Sequence, residues 1–298
     1  MRFKWTYEGP RNTLQHFLIQ QGFSLAQLKK LKFHGGFVFV NRKQRNTAFR
    51  LRPGDQIFLQ TAPEVAVDTV VPYEAPLAIC YEDEYLLVVN KPAGVASIPD
   101  AAKGNDSMAN RVKAYLIKTH AESAAIHVVT RLDRDTSGLM LFAKSGFVHS
   151  LLDRQLHTDD LSKTYLAVVQ GGAGLAEHGW LVLKIGRSQD FYMKRQVTLA
   201  GKTSVTEYET LAANPDAALV QVQLHTGRTH QIRVHFAAIG HPLFGDDLYG
   251  GPAGMARQAL HCAALTFWHP IAKKRLELTA ALPPDMLSLV AQEKLQLK

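Results

Sequence analysis

The densest group of charged and hydroxyl side chains in this 298-residue chain lies in residues 131–137, RLDRDTS, directly before an apolar run. Two carboxylates alternate there with two arginines, and neighbouring arginines keep a carboxylate ionised. An ionised aspartate such as Asp133 can act as a nucleophile or as a general base. The same string is also typical of a charged turn before a strand, with Gly138 supplying the bend, and by itself it does not separate the two interpretations.

A second polar group occupies residues 224–251, where an apolar strand pattern ends at Gly227 and a helical pattern begins near Thr229. Arg228, His230 and Arg233 fall at or near the start of that helix, where backbone N–H groups and the helix dipole favour anions. His230 and Arg233 share one helical face at i, i+3 spacing. The pattern predicts a binding site for a phosphate or for a buried carboxylate. The alternative is that these polar residues only cap the helix.

The histidines and cysteines do not predict a metal centre. His225, His230, His235 and His241 are spaced by five or six residues and contain no His-x-x-x-His pair, so we expect no metal site. Cys80 and Cys262 lie far apart and outside any C-x-x-C pair, which indicates two reduced thiols and excludes a zinc-dependent base deaminase. Motifs for binding nucleoside triphosphates and for a serine nucleophile elbow are also missing from the sequence.

The positive charge of the chain is concentrated near its N-terminus. The formal net charge is +8, and residues 11–54 contain no Asp or Glu but nine basic residues, so the rest of the chain sums to −1. The nine are Arg11, Lys29, Lys30, Lys32, Arg42, Lys43, Arg45, Arg50 and Arg52. A solvated charged face is the plainest explanation of a basic run, but so one-sided a balance favours binding to a nucleic acid.

Residues 1–60 form a small α/β module in the predicted architecture. A helix over residues 12–21 is capped by Asn12 or Thr13, and a second helix begins after Ser24 and ends at Gly35-Gly36. Strand patterns follow at 37–41 and around 56–58, with a turn near Arg42-Lys43 between them. Residues 61–76 contain three prolines and are predicted to be a linker to a larger domain over residues 77–298.

The larger domain is predicted to be α+β, with a mixed, largely antiparallel sheet. Eight short strand patterns outnumber the helical ones, which cover roughly residues 107–119, 146–157, 229–239 and 284–294. The glycine-rich stretch 171–179 is interpreted as a hairpin loop. Because the chain has neither a run of eighteen apolar residues nor a signal-peptide pattern, we expect a cytoplasmic protein that does not cross a membrane.

Five stretches, in order along the chain, resemble the RluA family of pseudouridine synthases. They are VVNKPAGVASIP (88–99), RLDRDTSGLMLFAK (131–144), KTYLAVVQG (163–171), LHTGRTHQIRVHFAAIGHPLFGDDLYG (224–250) and LHCAALTFWHP (260–270). The N-terminal module is similar, mostly in pattern and charge, to the RNA-binding domain first seen in ribosomal protein S-four. The resemblance implies the pseudouridine synthase fold with an appended RNA-binding module.

The resemblance also implies a reaction and a set of site residues. Asp133 would be the nucleophile, acting at carbon 6 of the uracil ring or at the ribose anomeric carbon. Arg233 would offset its charge, with Arg228 as the second choice, and Tyr165 would stack on the extruded base and serve as acid or base. Arg131 would contact phosphate or fill the gap left by the flipped nucleotide. Further substrate contacts are expected from Arg228, His230, Lys29, Lys30, Lys32 and Arg42. The reaction is an internal rearrangement and therefore implies no cofactor and no metal.

The simplest expectation is a monomer, and the basic module favours a structured RNA as its partner. The resemblance favours large-subunit ribosomal RNA and leaves transfer RNA open. The sequence departs from the family pattern at Thr130, where a histidine is usual, and at Ser97-Ile98, where a histidine often precedes Pro99. Two alternatives stay open, and the departures count mildly for the first of them. One is an RNA-binding protein that has lost its activity on the same fold, and the other is a metal-dependent phosphodiesterase that uses the histidine-rich motif.

Overall fold

The computed structural model describes residues 1–61, 64, 70–99, 104–188, 191 and 193–296. Part of the predicted linker, residues 62–63 and 65–69, lies outside these ranges. The strands are β1 (Arg2–Thr6), β2 (Asn12–Thr13), β3 (Phe37–Val40), β4 (Lys43–Gln44), β5 (Arg50–Leu51), β6 (Gln56–Gln60), β7 (Ala78–Glu82), β8 (Leu86–Lys91), β9 (His127–Val128), β10 (Ser137–Ala143), β11 (Leu161–Gln170), β12 (His178–Arg187), β13 (Arg195–Val197), β14 (Lys202–Ala213), β15 (Ala217–Leu224), β16 (Leu260–Trp268) and β17 (Arg275–Thr279). The helices are α1 (Leu14–Gln20), α2 (Leu25–Phe33), α3 (Met108–Lys118), α4 (Gly146–Gln155), α5 (Gln231–Ala238) and α6 (Pro284–Gln292), with a 3₁₀ turn at Asp247–Tyr249.

The N-terminal residues build a small sheet with two helices, as the sequence predicts. The sheet has the order β1-β6-β3-β4. The hydroxyl of Thr13 accepts a hydrogen bond from the His16 N–H at the start of α1. Ser24 caps α2 in a capping box with Gln27, since each residue's side chain accepts a bond from the other's backbone N–H. These local signals explain why both predicted helix starts are correct.

β2 and β5 pair with each other in the N-terminal part, and the strands from β7 onward form one large sheet, which confirms the α+β prediction. Its main path is β13-β12-β14-β15-β11-β16-β10-β8-β7, with β17 paired to β16 and β9 paired to β10. Among the described pairs β10 and β16 are parallel, at Ser137 and Gly138, and the others are antiparallel. All four helices predicted for this part of the chain are present as α3, α4, α5 and α6.

The hairpin prediction for residues 171–179 is wrong. These residues connect β11 to β12, but β15 and β14 lie between those two strands in the sheet. β12 instead pairs with β14, for example Trp180 with Glu207, and β11 pairs with β15 and β16. A glycine-rich stretch between two strand patterns marks a reversal of the chain, but it does not determine which strand the next one pairs with.

The two sheets share one hydrophobic core, and α4 is the element between them. The ring of Phe23, between α1 and α2, stacks on Phe147 of α4 with centroids 3.8 Å apart, and Phe3 of β1 meets the same ring edge-on at 5.1 Å. Arg154 at the end of α4 donates to the backbone carbonyl of Gly22. These contacts join the basic module to the larger sheet. No helix in the described part of the chain is both long and apolar enough to cross a bilayer.

Candidate active site

Asp133 lies in the loop between β9 and β10. The polar stretch ends where β10 begins, because all seven residues of that strand are buried. The Thr136 N–H donates to the Asp133 carbonyl and closes a turn. Gly138 follows with φ +115°, and a Cβ at this position would overlap the Cys262 backbone on β16. Glycine is therefore required for the close parallel approach of β10 and β16 that ends the loop.

Two buried hydroxyls fix the backbone before Asp133, and they belong to Thr130 and Ser97, which stand at or next to the positions that depart from the family pattern. Ser97 Oγ donates to the Leu132 carbonyl at 2.6 Å and accepts from the Leu132 N–H at 2.9 Å. Thr130 Oγ1 accepts from the Leu141 N–H at 2.9 Å. Both side chains are at most 5% exposed. In this chain Ser97 and Thr130 therefore hold the loop through the main chain.

Lys91 holds the other side of the loop. Its ammonium is fully buried and donates to the backbone carbonyls of Pro92, Val95 and Arg134 at 2.7 to 2.9 Å. Burial lowers the pKa of this lysine to about 7 against the opposing influence of nearby carboxylates. The bond to the Arg134 carbonyl connects β8 to the residue directly after Asp133. Sequence reasoning quoted the first motif that contains Lys91 but assigned this residue no role.

Arg233 lies between two carboxylates. Its Nε and Nη2 donate to the two oxygens of Asp246 at 2.7 and 2.8 Å, and its Nη1 donates to Asp133 Oδ2 at 3.3 Å. The Asp246 side chain is 1% exposed, whereas that of Asp133 is 26% exposed. Burial alone would lower the pKa of Arg233, but the bonds and charges of the two carboxylates outweigh it and raise the pKa. The predicted meeting of Arg233 with Asp133 is present.

His230 approaches Asp133 from the start of α5. Its Nε2 lies 3.9 Å from Asp133 Oδ2, and its Nδ1 lies 3.0 Å from the Tyr249 hydroxyl. The residue precedes α5 in the left-handed conformation at φ 58°, which is uncommon for histidine. Burial, aided by the charges of Arg233 and Arg195, lowers the pKa of His230, so the imidazole is neutral at pH 7.

Tyr165 lies on β11 opposite Cys262 of β16, where the strand register shifts between Thr164 and Tyr165. The ring is 4% exposed and lines the same cleft as Asp133. Burial, with smaller contributions from Cys262 and Asp133, raises the pKa of the phenol well above its ordinary value. Tyr165 is therefore a neutral phenol at pH 7.

Six of the predicted site residues line one cleft of about 1180 Å³, namely Asp133, Tyr165, Arg233, Arg131, Arg228 and His230. The cleft is open to solvent at Arg131 and Arg228, which are exposed. Of the predicted substrate contacts, those in the N-terminal module lie elsewhere: Lys29, Lys30 and Lys32 are exposed on α2, and Arg42 is exposed in the β3–β4 turn. The cleft and the basic module are joined by α4, whose His149 and Asp153 line the cleft.

The four histidines of the second motif serve different parts of the fold. His225 pairs with Glu207, His230 with Tyr249, and His241 with the Gln170 carbonyl. His235 is fully buried. Within the described ranges, no three His, Cys, Asp or Glu side chains converge as metal ligands would.

Sequence reasoning missed two residues that complete the site, Asp246 and Tyr249. Both lie inside the quoted motif 224–250, in its final letters GDDLYG, so the signal was present. Asp246 holds Arg233 in place, and the Tyr249 ring lies 5.0 Å from the Arg233 guanidinium. The Tyr249 hydroxyl also accepts from the Arg195 N–H of β13 at 2.9 Å.

Comparison with known proteins identifies the family of this chain. The family described as RNA pseudouridylate synthase matches residues 85–238. A Bacillus subtilis protein named as an uncharacterized RNA pseudouridine synthase, YjbO, is 40% identical over 94% of this chain and 99% of its own length. Ribosomal large subunit pseudouridine synthase D of Xylella fastidiosa is 36% identical over 80% of this chain and 75% of its own length.

The fold is also similar to that of a solved pseudouridylate synthase structure. The structure of human RNA pseudouridylate synthase domain containing 4 superposes with a TM-score of 0.61 at 20% identity, over 74% of this chain and 94% of that one. The mixed sheet and its cleft thus define a pseudouridine synthase fold. The chain belongs to the RNA pseudouridylate synthase family, among its RluA-type members, and is an RNA-directed isomerase.

Proposed function

We propose that this protein converts uridines of structured RNA to pseudouridine and that Asp133 is its nucleophile. The observation that supports this most directly is the Arg233 contact. The guanidinium is held on both oxygens of the buried Asp246 and extends its remaining nitrogen to Asp133 at 3.3 Å. A cation fixed in this way offsets the desolvation of an ionised carboxylate in a partly closed cleft.

Asp133 suits the role of nucleophile better than Asp246 does. Both oxygens of Asp246 are occupied by Arg233, and its side chain is 1% exposed. The Asp133 side chain is 26% exposed and lines the cleft, so an incoming ring can reach it. A nucleophile must have an oxygen that is accessible to the substrate, and of the two partners of Arg233 Asp133 meets that condition.

The reaction balances within the substrate. The bond between the ribose anomeric carbon and N1 of uracil breaks, the ring rotates, and a bond forms from the same ribose carbon to C5. C5 loses its proton, and the former glycosidic nitrogen gains one. Asp133 acts either at C6 or at the anomeric carbon, and both routes begin from an ionised carboxylate. No oxidant, reductant or group donor enters this balance, and so we propose a reaction without a cofactor.

The other residues of the cleft would bind and orient the extruded nucleotide. Tyr165 presents a neutral aromatic ring beside Asp133, which suits stacking on uracil, and its raised pKa favours a role as proton donor over that of a phenolate base. Arg131 and Arg228 are exposed at the cleft and suit contacts to RNA phosphates. His230 is close enough to Asp133 to contact the same nucleotide.

We propose large-subunit ribosomal RNA as the substrate, with transfer RNA as the second candidate. The name of the Xylella fastidiosa relative supports the first. We also propose that residues 1–60 are an S-four-like RNA-binding module. In this proposal residues 61–76 are a linker and residues 77–298 are the catalytic domain. Lys29, Lys30, Lys32 and Arg42 would add salt-dependent contacts to the RNA backbone. We expect a cytoplasmic monomer.

The test is tritium release from RNA labelled at C5 of uridine, prepared from a strain lacking this gene. Wild type should release tritium, and Asp133→Asn should release none while still binding RNA. Asp153→Asn is the matched control, because it removes another carboxylate from the wall of the same cleft and should keep activity within a few-fold of wild type. Mapping the modified position would then name the target uridine. Release by Asp133→Asn at the wild-type rate would contradict the assignment.

The two alternatives predict different results in the same assay. An inactive RNA-binding protein would bind RNA without release from wild type. The backbone roles of Ser97 and Thr130 do not favour that alternative, because both residues hold the loop that carries Asp133. A metal-dependent phosphodiesterase would shorten the RNA and stop when a chelator is added. We expect release of tritium from intact RNA, unchanged by the chelator.

A further inference from the structure

An exposed tryptophan stands at the rim of the catalytic cleft. Trp180 of β12 is 52% exposed, and its indole stacks on the His225 ring with centroids 4.8 Å apart and planes at 26°. His178 meets the same indole edge-on at 6.3 Å. Tryptophan buries a large apolar surface when the fold uses it for packing. This ring leaves half of its surface in water, so packing accounts for only part of it.

The rings at the rim are held by a single carboxylate. Glu207 of β14 is opposite Trp180 in the strand register. Its two oxygens lie 2.9 Å from His178 Nε2 and 2.9 Å from His225 Nε2, one oxygen to each ring. Glu207 thus fixes both histidines, and His225 in turn supports one face of the indole. We call Trp180, His225, His178 and Glu207 the rim cluster.

The rim cluster is continuous with the cleft through His225, which belongs to both. His225, Gln223 and Arg228 line the cleft that holds Asp133. Trp180 is not itself part of that lining, but it stacks on His225, which is, and it therefore lies next to the cleft. Lys184 is on the same face of β12, four residues or about 13 Å further along the strand, and is exposed.

We propose that Trp180, supported by His225, binds an unpaired base of the RNA strand next to the target uridine. This inference rests on the proposed function, because it requires an RNA strand in the cleft. Extruding a uridine removes the stacking partner of its neighbours, and an exposed aromatic ring accepts any base by stacking. Glu207 would repel phosphates, but each of its oxygens contacts a histidine. Lys184 of β12 and Arg228 of the cleft lining are exposed cations that suit contacts to the RNA backbone.

The first experiment compares binding of two single-stranded probes of equal length and charge, a uridine oligonucleotide and its abasic counterpart. Trp180→Ala should lose roughly 5- to 150-fold in affinity for the uridine probe and almost nothing for the abasic probe. Trp180→Phe, which retains a ring, should keep most of the affinity. Leu199→Ala is the control, because it removes a 92% exposed apolar side chain and should bind both probes like wild type.

A second measurement protects the test against loss of folding. In a Trp5→Phe, Trp268→Phe background, Trp180 is the remaining indole, and its fluorescence should be quenched by the uridine probe and not by the abasic one. Circular dichroism of Trp180→Ala should match that of wild type. Equal losses for both probes, or unchanged binding with no quenching, would overturn the proposal. So would a self-association of wild type that Trp180→Ala abolishes, since a second copy would then cover the ring.

Failure of the proposed function would look different. If wild type releases no tritium from RNA, the synthase assignment fails, while the two probes still decide whether Trp180 stacks on a base. If wild type is active, Trp180→Ala should raise KM by the factor seen in binding and leave kcat unchanged. A fall in kcat with unchanged KM would contradict a binding role for Trp180.

Discussion

Asp133 and Asp246 both contact Arg233, and changing each to asparagine tests which of them is chemical and which is structural. Each change removes one negative charge that contacts the same cation, Arg233. They differ in geometry, because Asp246 binds through two oxygens at 2.7 and 2.8 Å and Asp133 through one at 3.3 Å. We therefore expect the two variants to differ in stability although both lose activity.

The magnitudes follow from burial. Asp246 is 1% exposed, and breaking a buried ion pair by removing one partner costs about 3–5 kcal/mol. Asparagine keeps one acceptor, so we expect Asp246→Asn to lower the free energy of unfolding by about 3 kcal/mol. Asp133 is 26% exposed and its contact is long, so Asp133→Asn should change stability by less than about 1 kcal/mol.

Activity should fall for two different reasons. Asp133→Asn removes the proposed nucleophile and should abolish tritium release. Asp246→Asn leaves the proposed nucleophile in place but frees Arg233 to move, and a misplacement of about 1 Å can reduce the rate roughly 100-fold. The measurements are urea unfolding and tritium release, side by side. Asp247→Asn is the control, because this exposed neighbour should change stability by no more than about 0.5 kcal/mol. The reasoning is refuted if Asp133→Asn destabilises the protein as much as Asp246→Asn does.

Three further changes test the parts of the fold that hold the site. Gly138→Ala should destabilise by about 3 kcal/mol or more in urea unfolding, because its Cβ would overlap the Cys262 backbone at a positive φ; wild-type stability would contradict the strand geometry. Gly22→Ala should lose about 1–2 kcal/mol, since φ is +101° and its Cβ would push against Leu151 of α4 between the two sheets; an unchanged unfolding midpoint would contradict that contact. Burial lowers the pKa of His235 to about 4, so on acidification the unfolded chain takes up a proton before the folded protein does, and the free energy of unfolding falls from about pH 6.5 toward pH 4. His235→Leu should remove roughly 2 kcal/mol of the stability loss between pH 7.5 and pH 5. Parallel pH profiles of unfolding for the two proteins would refute this.

Local signals in the sequence were sufficient for elements that are determined locally. The starts of α1 and α2 follow from Thr13 and from the Ser24–Gln27 capping box, both within four residues of the helix they begin. The strand pairing after residues 171–179 was not predictable in this way. β12 pairs with β14 and β13 and not with β11, and that choice depends on which strands already border β11, a property of the whole sheet that no local pattern reports.

The site shows the same division between local and long-range information. Asp133, Tyr165 and Arg233 stand inside recognisable motifs and were expected to meet. The motif also contains Asp246, but its contact with Arg233 depends on a loop returning across thirteen residues of chain. Ser97 and Leu132 are thirty-five residues apart, and their pairing depends on how β8 and β10 lie in the sheet. Motifs name the residues, and the sheet determines which of them touch.

Arg233 binds Asp246 through two short hydrogen bonds and Asp133 through one long one, and this difference is consistent with what a nucleophile requires. Arg233 makes its two short bonds to a carboxylate that is already buried, so its position does not depend on Asp133. The loop around Asp133 is fixed through its main chain, by Ser97 at Leu132 and by Lys91 at Arg134. The Asp133 carboxylate is thus placed by its backbone and stays partly exposed. A nucleophile clamped by two short bonds would be held as firmly but would be less able to react, since its lone pairs would already be engaged.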